Sequence, residues 1–345
     1  MFKPRYNYTD NIVNNLTRIA EARTIILNAP LIPKWEVSLR RDALLRSAHS
    51  STAIEGNPLS LEQVSDLAAG REVMVGRKDK QEVLNYLEAL EKIPTFAENI
   101  PLTGKDFLRI HKIVTKKTLD APKYEGAYRE IGVYVGNRIT GEVVFMPPSE
   151  KQVPKLTDEF LQWFNSEDTN SLDPVIQAGI THYEIVRIHP FVDGNGRAAR
   201  VMATLVLYNR GFDLKRFFAL DDYYDNDRPS YYAALNAVDK NTQDLTKWLE
   251  YFTEGVTVSI KAVKQRVIGL SKDVKVLKER GQVQLTERQM KIVEHIIEGG
   301  AVTNRKVREM FGLSNRGALD ELEKLMKLRV IKKTGKGRDI SYELA

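Results

Sequence analysis

Cysteine is absent from the 345 residues. That excludes disulfides, a thiolate nucleophile and a cysteine-based zinc site, and it fits a reducing cytoplasm. No apolar run reaches the roughly 18 residues of a membrane span, so no membrane association is expected. The opening MFKPRYNYTD lacks the apolar centre of a signal peptide, so no secretory leader is expected. Charge of one sign is not in large excess. The net charge is +6 and the sequence pI about 9.1, compatible with nucleotide or nucleic-acid binding without diagnosing either. What is present describes an ordinary folded chain, 42% apolar and 28% charged, long enough for two or three domains.

The most informative stretch is His189 to Arg200, HPFVDGNGRAAR. An apolar run from Ile180 to Ile188 reads as a helix that Pro190 cannot continue. Asp193-Gly194-Asn195-Gly196 places two glycines in three residues, which permits positive φ and close backbone approach to a ligand. Arg197 to Arg200 opens a new helix, continued by VMATLVLY. A glycine-rich turn at a helix N-terminus offers free N–H groups and a positive dipole end to phosphates. Arg197 and Arg200, three apart, share a face and suit phosphate oxygens. Asp193 is a candidate ligand for a divalent cation. His189 is a candidate general base beside this anion cradle. Taken singly, each has a plainer reading: a structural His before Pro, a loop, a solvated arginine face. Their concentration in twelve residues favours chemistry.

This run resembles the signature of the Fic (filamentation induced by cAMP) family, His-Pro-Phe-x-(Asp or Glu)-Gly-Asn-Gly-Arg-x-x-Arg. Every fixed position matches. Fic proteins typically transfer AMP from ATP to a hydroxyl side chain of a protein. The resemblance implies His189 as general base, Asp193 as the Mg²⁺ ligand, and Gly194, Asn195, Gly196 and their N–H groups around the α-phosphate. It implies Arg197 and Arg200 on the β- and γ-phosphates. The related Doc kinases carry Lys where this chain has Gly196, which favours nucleotidyl transfer.

Upstream, apolar spacing predicts helices over about Asn11–Leu27, with Pro30 and Pro33 ending the first, and about Val37–Ile54. The second ends in Ser51-Thr-Ala-Ile-Glu55-Gly56-Asn-Pro58. Glu55 reads as an exposed carboxylate at a helix end or as the partner of a cation. Ser51, Glu55 and Gly56 resemble the inhibitory segment of Fic proteins. That implies that Glu55 reaches the nucleotide site, pairs with Arg200 and misplaces ATP. Further helices are expected over Asp79–Lys92 and from Thr103 through Val114, with His111 a packing residue and Pro94 and Pro101 bracketing a short connection.

Residues 124–150 break the helical pattern. Ile131–Val135 and Val143–Phe145 alternate as two strands with turn residues between them. They form either an edge hairpin or a flap that aligns a partner's extended segment by main-chain pairing. In Fic proteins such a hairpin positions the target, and Gly126–Arg129 resembles the segment before it. Gly136, Asn137 and Arg138 are candidate nucleotide contacts. Helices follow over Val153–Phe164 and Pro174–Ile188, and a connection over Phe212–Phe218. A helix face after Pro229 carries Tyr231, Tyr232, Leu235 and Val238. The resemblance suggests Tyr231 and Asp239 near the nucleotide. Two more helices are expected over Leu245–Phe252 and Val256–Leu277.

From Leu285 the pattern changes. Thr286–Ile297, Thr303–Phe311 and Ser314–Leu328 read as helices, then Val330–Lys333 and Asp339–Leu344 as two strands, an order that looks like a winged helix. This segment holds thirteen Lys and Arg against nine Asp and Glu. Asn315, Arg316, Lys332, Lys333, Lys336 and Arg338 are candidate DNA contacts. The same module also occurs as a protein-binding domain.

The expectation is a mainly α protein: an N-terminal helical region with an inhibitory motif (1–99), a Fic-type helical core with a β-hairpin flap (100–255), a connecting helix (256–284) and a winged helix-turn-helix domain (285–345). The expected function is an auto-inhibited protein adenylyltransferase acting with Mg²⁺ and ATP on a Ser, Thr or Tyr hydroxyl of a target, docked on the 131–145 flap, or of itself. The alternative is a DNA-binding transcriptional regulator with a nucleotide-sensing Fic core. Residues 285–345 would meet DNA or a protein. A homodimer is compatible, since Fic proteins often dimerise, and the cytoplasm is the expected location.

Overall fold

A computed structural model describes residues 2–31, 33–136, 143–212, 216–279, 285–328, 330–335 and 340–344. The chain is mainly helical and divides into two compact units. One comprises residues 1–24 and 42–262, the other 25–41 and 263–345. Residues 1–24 and 42–99 fall in the larger unit.

The elements follow in chain order: α1 (Asp10–Asn28), α2 (Pro33–Ile54), α3 (Leu61–Ala68), α4 (Arg77–Glu91), α5 (Ile93–Glu98) and α6 (Gly104–Thr115). Pro33 does not close α1; it is the first residue of α2, where its missing N–H costs nothing. Pro94 likewise sits in the first turn of α5, a helix where a plain connection was expected. Ser60 with Gln63 and Thr103 with Asp106 form capping boxes that start α3 and α6.

The hairpin follows as β1 (Val135–Gly136) and β2 (Val143–Phe145), antiparallel, with Val135 opposite Phe145. Residues 131–134, expected within the first strand, precede the pairing. Then come α7 (Val153–Phe164), α8 (Glu167–Asn170), α9 (Pro174–Ile188), α10 (Asn195–Asn209), α11 (Asp221–Asn226), α12 (Arg228–Asn236) and α13 (Thr246–Glu279). The two helices expected from Leu245 to Leu277 are one. Gly255 lies within it, where a Cβ would meet the Tyr223 ring at 2.6 Å. Its small size serves packing rather than a break.

The larger unit is built on the α9–α10 pair, with α4, α5 and α6 packed on α10 and α7 on α9. α9 is buried along nearly its whole length, which its all-round apolar sequence requires. Gly179 on α9 lets Leu249 and Phe252 approach and gives its carbonyl to Trp248 Nε1 at 2.7 Å.

In the smaller unit α14 (Glu287–Gly299), α15 (Asn304–Phe311) and α16 (Asn315–Lys327) precede the antiparallel pair β3 (Ile331–Thr334) and β4 (Ser341–Leu344). Ile292, Val293, Ile296, Val307, Leu322 and Leu325 form its core, closed by Tyr342. Asn315, Arg316, Lys332 and Lys333 are exposed; Lys336 and Arg338 lie outside the described residues. The exposed side of α16 also carries Asp320 and Glu323, which would repel phosphate. No described helix is long and apolar enough to cross a membrane.

Candidate active site

His189 ends α9 with a left-handed backbone, φ 51° and ψ 57°, and its N–H still bonds the Ile185 carbonyl at 2.9 Å. Pro190 then carries the chain out of the helix. The next eight residues close on themselves. Asn195 accepts the Phe191 N–H at 2.9 Å and donates to the Phe191 carbonyl at 2.9 Å. Its amide is therefore spent on shaping the turn, and the loop N–H groups rather than this side chain are left for a phosphate. Gly194, at φ 78°, caps α10. A Cβ there would meet Thr115 at 2.6 Å, so both the conformation and the space require glycine.

Two buried side chains hold this loop from behind. His111 receives the Gly126 N–H on Nδ1 at 3.0 Å, which leaves Nε2–H to donate to the Asp193 carbonyl at 2.9 Å. Its ring stacks on Phe191 at 3.6 Å. Burial pushes its pKa down to about 4, so it stays neutral and keeps that tautomer. His111 thus braces the loop, where the sequence showed only a packing residue. Replacing it with Ala removes two hydrogen bonds and leaves a cavity; we expect a loss of about 2–4 kcal/mol in denaturant unfolding. Arg129 is the second brace. Its Nε donates to the His189 carbonyl at 2.7 Å, Nη1 to the Ile131 carbonyl at 3.1 Å and Nη2 to the Pro148 carbonyl. The guanidinium ties the start of the signature to both ends of the flap segment.

A pocket of about 140 Å³ opens beside the loop. His189, Gly196, Arg200, Glu55 and Tyr231 line it, with Val135 and Phe145 from the hairpin. His189 Nδ1 lies 3.1 Å from the Val186 carbonyl, which fixes the proton there and leaves Nε2 as the basic nitrogen. Burial lowers the His189 pKa, opposed by that hydrogen bond and by the Glu55 charge. It is neutral at pH 7.

Arg200 is buried beneath the pocket. Its Nη2 donates to Glu55 Oε1 at 2.8 Å and to the Ser51 carbonyl at 2.9 Å, and its Nε to Ser51 Oγ at 2.6 Å. Asp221 Oδ1 lies 3.4 Å from Nε on the same guanidinium. Burial alone would favour the neutral base; Glu55, together with Tyr231, Tyr86 and Asp221, outweighs it and holds the Arg200 pKa well above its usual value. A Cβ on Gly196 would overlap the Glu55 carboxylate. Glu55 therefore lies over the first turn of α10, where an anion is favoured.

Arg197 is also buried, with Nη2 3.4 Å from Asp193 Oδ1 and Nη1 3.5 Å from Glu82 Oε1. The Asp193 carboxyl feels burial, which raises its pKa, but Arg197, the Gly194 N–H and Lys78 outweigh this and hold it below the usual range. Its Oδ1 takes the Gly194 N–H at 2.5 Å, while Oδ2 accepts no hydrogen bond from the described residues. Among the described residues no group of three or more His, Cys, Asp or Glu side chains converges for a metal. Asp193 thus fits a cation whose other ligands come from phosphate oxygens, as Mg²⁺ accepts.

Tyr231 is buried, with its hydroxyl 3.2 Å from His182 Nε2 and its ring stacked on Tyr224 at 4.7 Å. Asp239 binds the local N–H groups of Asn241 and Thr242 and is not in the pocket wall. Gly136 follows Val135 in β1; Asn137 and Arg138 lie outside the described residues. Sequence reasoning missed Glu82 and Asp221 and gave Arg129 no partner, since Glu82 meets Arg197, Asp221 meets Tyr86 and Arg129 meets His189 from distant parts of the chain.

A histidine, a glycine-walled helix N-terminus and two buried arginines form a site in a helical domain whose chemistry suits an anion. Residues 101–207 match the Fic/DOC family. Protein adenylyltransferase Fic of Drosophila melanogaster is 32% identical over 176 residues, covering 50% of this chain and 34% of that protein. Its counterpart in Drosophila mojavensis is 33% identical over 176 residues, covering 50% and 33%. The crystal structure of a Fic family protein from Desulfovibrio desulfuricans superposes with a TM-score of 0.65 at 26% identity, over 100% of this chain and 98% of that one. Fic-1 from C. elegans shares the fold, with a TM-score of 0.59 at 24% identity over 76% and 73% of the two chains. The chain spans about a third of the length of the curated relatives it matches. Through residues 101–207 it is similar to the Fic/DOC proteins, and its fold is similar to that of a Fic family protein.

Proposed function

We propose that the protein is an auto-inhibited adenylyltransferase that moves AMP from ATP to a Ser, Thr or Tyr hydroxyl of a protein target or of itself. The observation that carries this reading is the Glu55 carboxylate over Gly196, paired with Arg200 at 2.8 Å and beside His189 in one pocket. That carboxylate occupies the place suited to an outer phosphate. The names of the relatives support the same chemistry.

In the active arrangement Glu55 withdraws and ATP lays its phosphates over the loop. The N–H groups of Asn195 and Gly196 face the α-phosphate, and Arg197 and Arg200 meet the β- and γ-phosphates. Mg²⁺ held by Asp193 and the phosphates would offset the charge that builds up there. His189 Nε2 takes the proton as the target oxygen bonds to the α-phosphorus. The bond from that phosphorus to the bridging oxygen breaks, and pyrophosphate leaves. Tyr231 and the hairpin residues Val135 and Phe145 wall the pocket that would hold the adenosine. Residues 131–145 would align the target by main-chain pairing. Elements α14 to β4 have the order of a winged helix, and the acids on α16 favour a protein partner for them over DNA. The cytoplasm is the proposed compartment.

Asp193→Asn tests the cation's place. We expect the Mg²⁺ concentration for half-maximal transfer of labelled AMP to rise about tenfold or more. An unchanged Mg²⁺ requirement would move the cation elsewhere.

A further inference from the structure

A buried chain of contacts joins the inhibitory turn to the phosphate-side arginine without passing through the pocket. Asn57 lies two residues beyond Glu55, past the end of α2. Its Nδ2 donates to Glu82 Oε2 at 3.0 Å and to the Asp79 carbonyl at 2.9 Å, and its Oδ1 accepts the Leu59 N–H at 3.2 Å. The other oxygen of Glu82 lies 3.5 Å from Arg197 Nη1. Glu82 stands on α4, which packs on α10. Asn57, Glu82 and Arg197 are all buried.

Arg197 is held loosely for so buried a cation. Its Nε and Nη1 have no hydrogen-bond partner, and its two ion pairs are long. A guanidinium in that state has donors to spare for an incoming anion, but needs a fixed charge to keep it aimed. Asp193 would share its charge with a cation held on its other oxygen. Glu82 remains.

We propose that Glu82 is a positioning residue with two arms. Through Asn57 it holds the turn that seats Glu55 over Gly196. Through Arg197 it aims the guanidinium at the outer phosphates of ATP. The proposal rests on the nucleotide-transfer reading above.

The two arms separate experimentally. Asn57→Ala cuts the first. Glu82→Gln cuts mainly the second, because the amide oxygen still serves Asn57 while the amide nitrogen faces Arg197 without charge. Self-labelling with ATP is measured in the full chain and in the Glu55→Gly background. Asn57→Ala is expected to raise basal labelling about three- to tenfold in the full chain and to change nothing once Glu55 is gone. Glu82→Gln is expected to raise KM for ATP about fivefold or more in the Glu55→Gly background, with kcat within about twofold. Equal effects of Asn57→Ala in both backgrounds, no effect in either, or an unchanged KM in Glu82→Gln would overturn the proposal.

If Glu55→Gly does not label at all, the transfer reading fails, yet the second arm is still read by calorimetry. Glu82→Gln should then weaken ATP binding and leave AMP binding as it was. Equal loss for both nucleotides, or none, would leave Glu82 a structural residue only.

Discussion

Glu55→Gly is expected to raise transfer of labelled AMP to the protein about 30-fold. The Glu55–Arg200 bond is charge-assisted, short and three-quarters buried on the Glu55 side. A contact of that kind contributes about 2 kcal/mol, and each 1.36 kcal/mol is a factor of ten. The same substitution also clears the space over Gly196. It should not unfold the protein, although removing one partner of a buried pair is ordinarily costly. Arg200 keeps Ser51 on two of its nitrogens and Asp221 at 3.4 Å, so it is not left as an isolated buried charge. The measurement is incorporation of labelled AMP together with a thermal melt. Equal labelling by the Glu55→Gly and parent chains, with the melt unchanged, would remove Glu55 as the gate.

His189→Ala in the Glu55→Gly background is expected to lower that labelling by roughly 10²–10⁴-fold, the range of a lost general base. ATP binding should persist, because the loop N–H groups and both arginines remain. The pH profile carries the sharper signature. A base must be unprotonated, and burial lowers the His189 pKa below its ordinary value. The acid limb of the activity should therefore lie below that of an ordinary histidine. Glu55 is one of the charges that raise this pKa, so its removal moves the acid limb further down. A Glu55→Gly profile that falls at or above pH 6.5 would show that another group takes the proton. Labelling that survives in the double variant would remove His189 from the chemistry altogether.

Much of the site was legible because it is local. From His189 to Arg200 the turn is dictated by its own residues: Pro190 stops α9, Gly194 takes the positive φ, and α10 starts at once with free N–H groups. The helices flanking it were legible from apolar spacing, since burial of one face imposes a period on the sequence. The errors have physical causes as well. Pro33 was read as a stop and Pro94 as the edge of a connection, yet proline is equally at home in a first helical turn. Gly255 sits where two expected helices are one, because its missing side chain makes room for Tyr223. The short hairpin left less strand than its alternation promised.

The partners of the signature belong to tertiary structure. Glu55 reaches Arg200 across 145 residues and His111 holds Asp193 across 82. Residue spacing carries no information over such distances; the packing of α4, α6 and α10 sets them. For Glu55, the sequence offered a resemblance and the structure a position over Gly196. For His111, Arg129, Glu82 and Asp221 the sequence offered nothing comparable, because a buried polar residue becomes distinctive only when its partner is known. The sequence by itself determined the chemistry on offer: a base, an anion-binding turn and two arginines. Only the fold decided which carboxylate would sit on it, since that follows from how the end of α2 is brought to the start of α10.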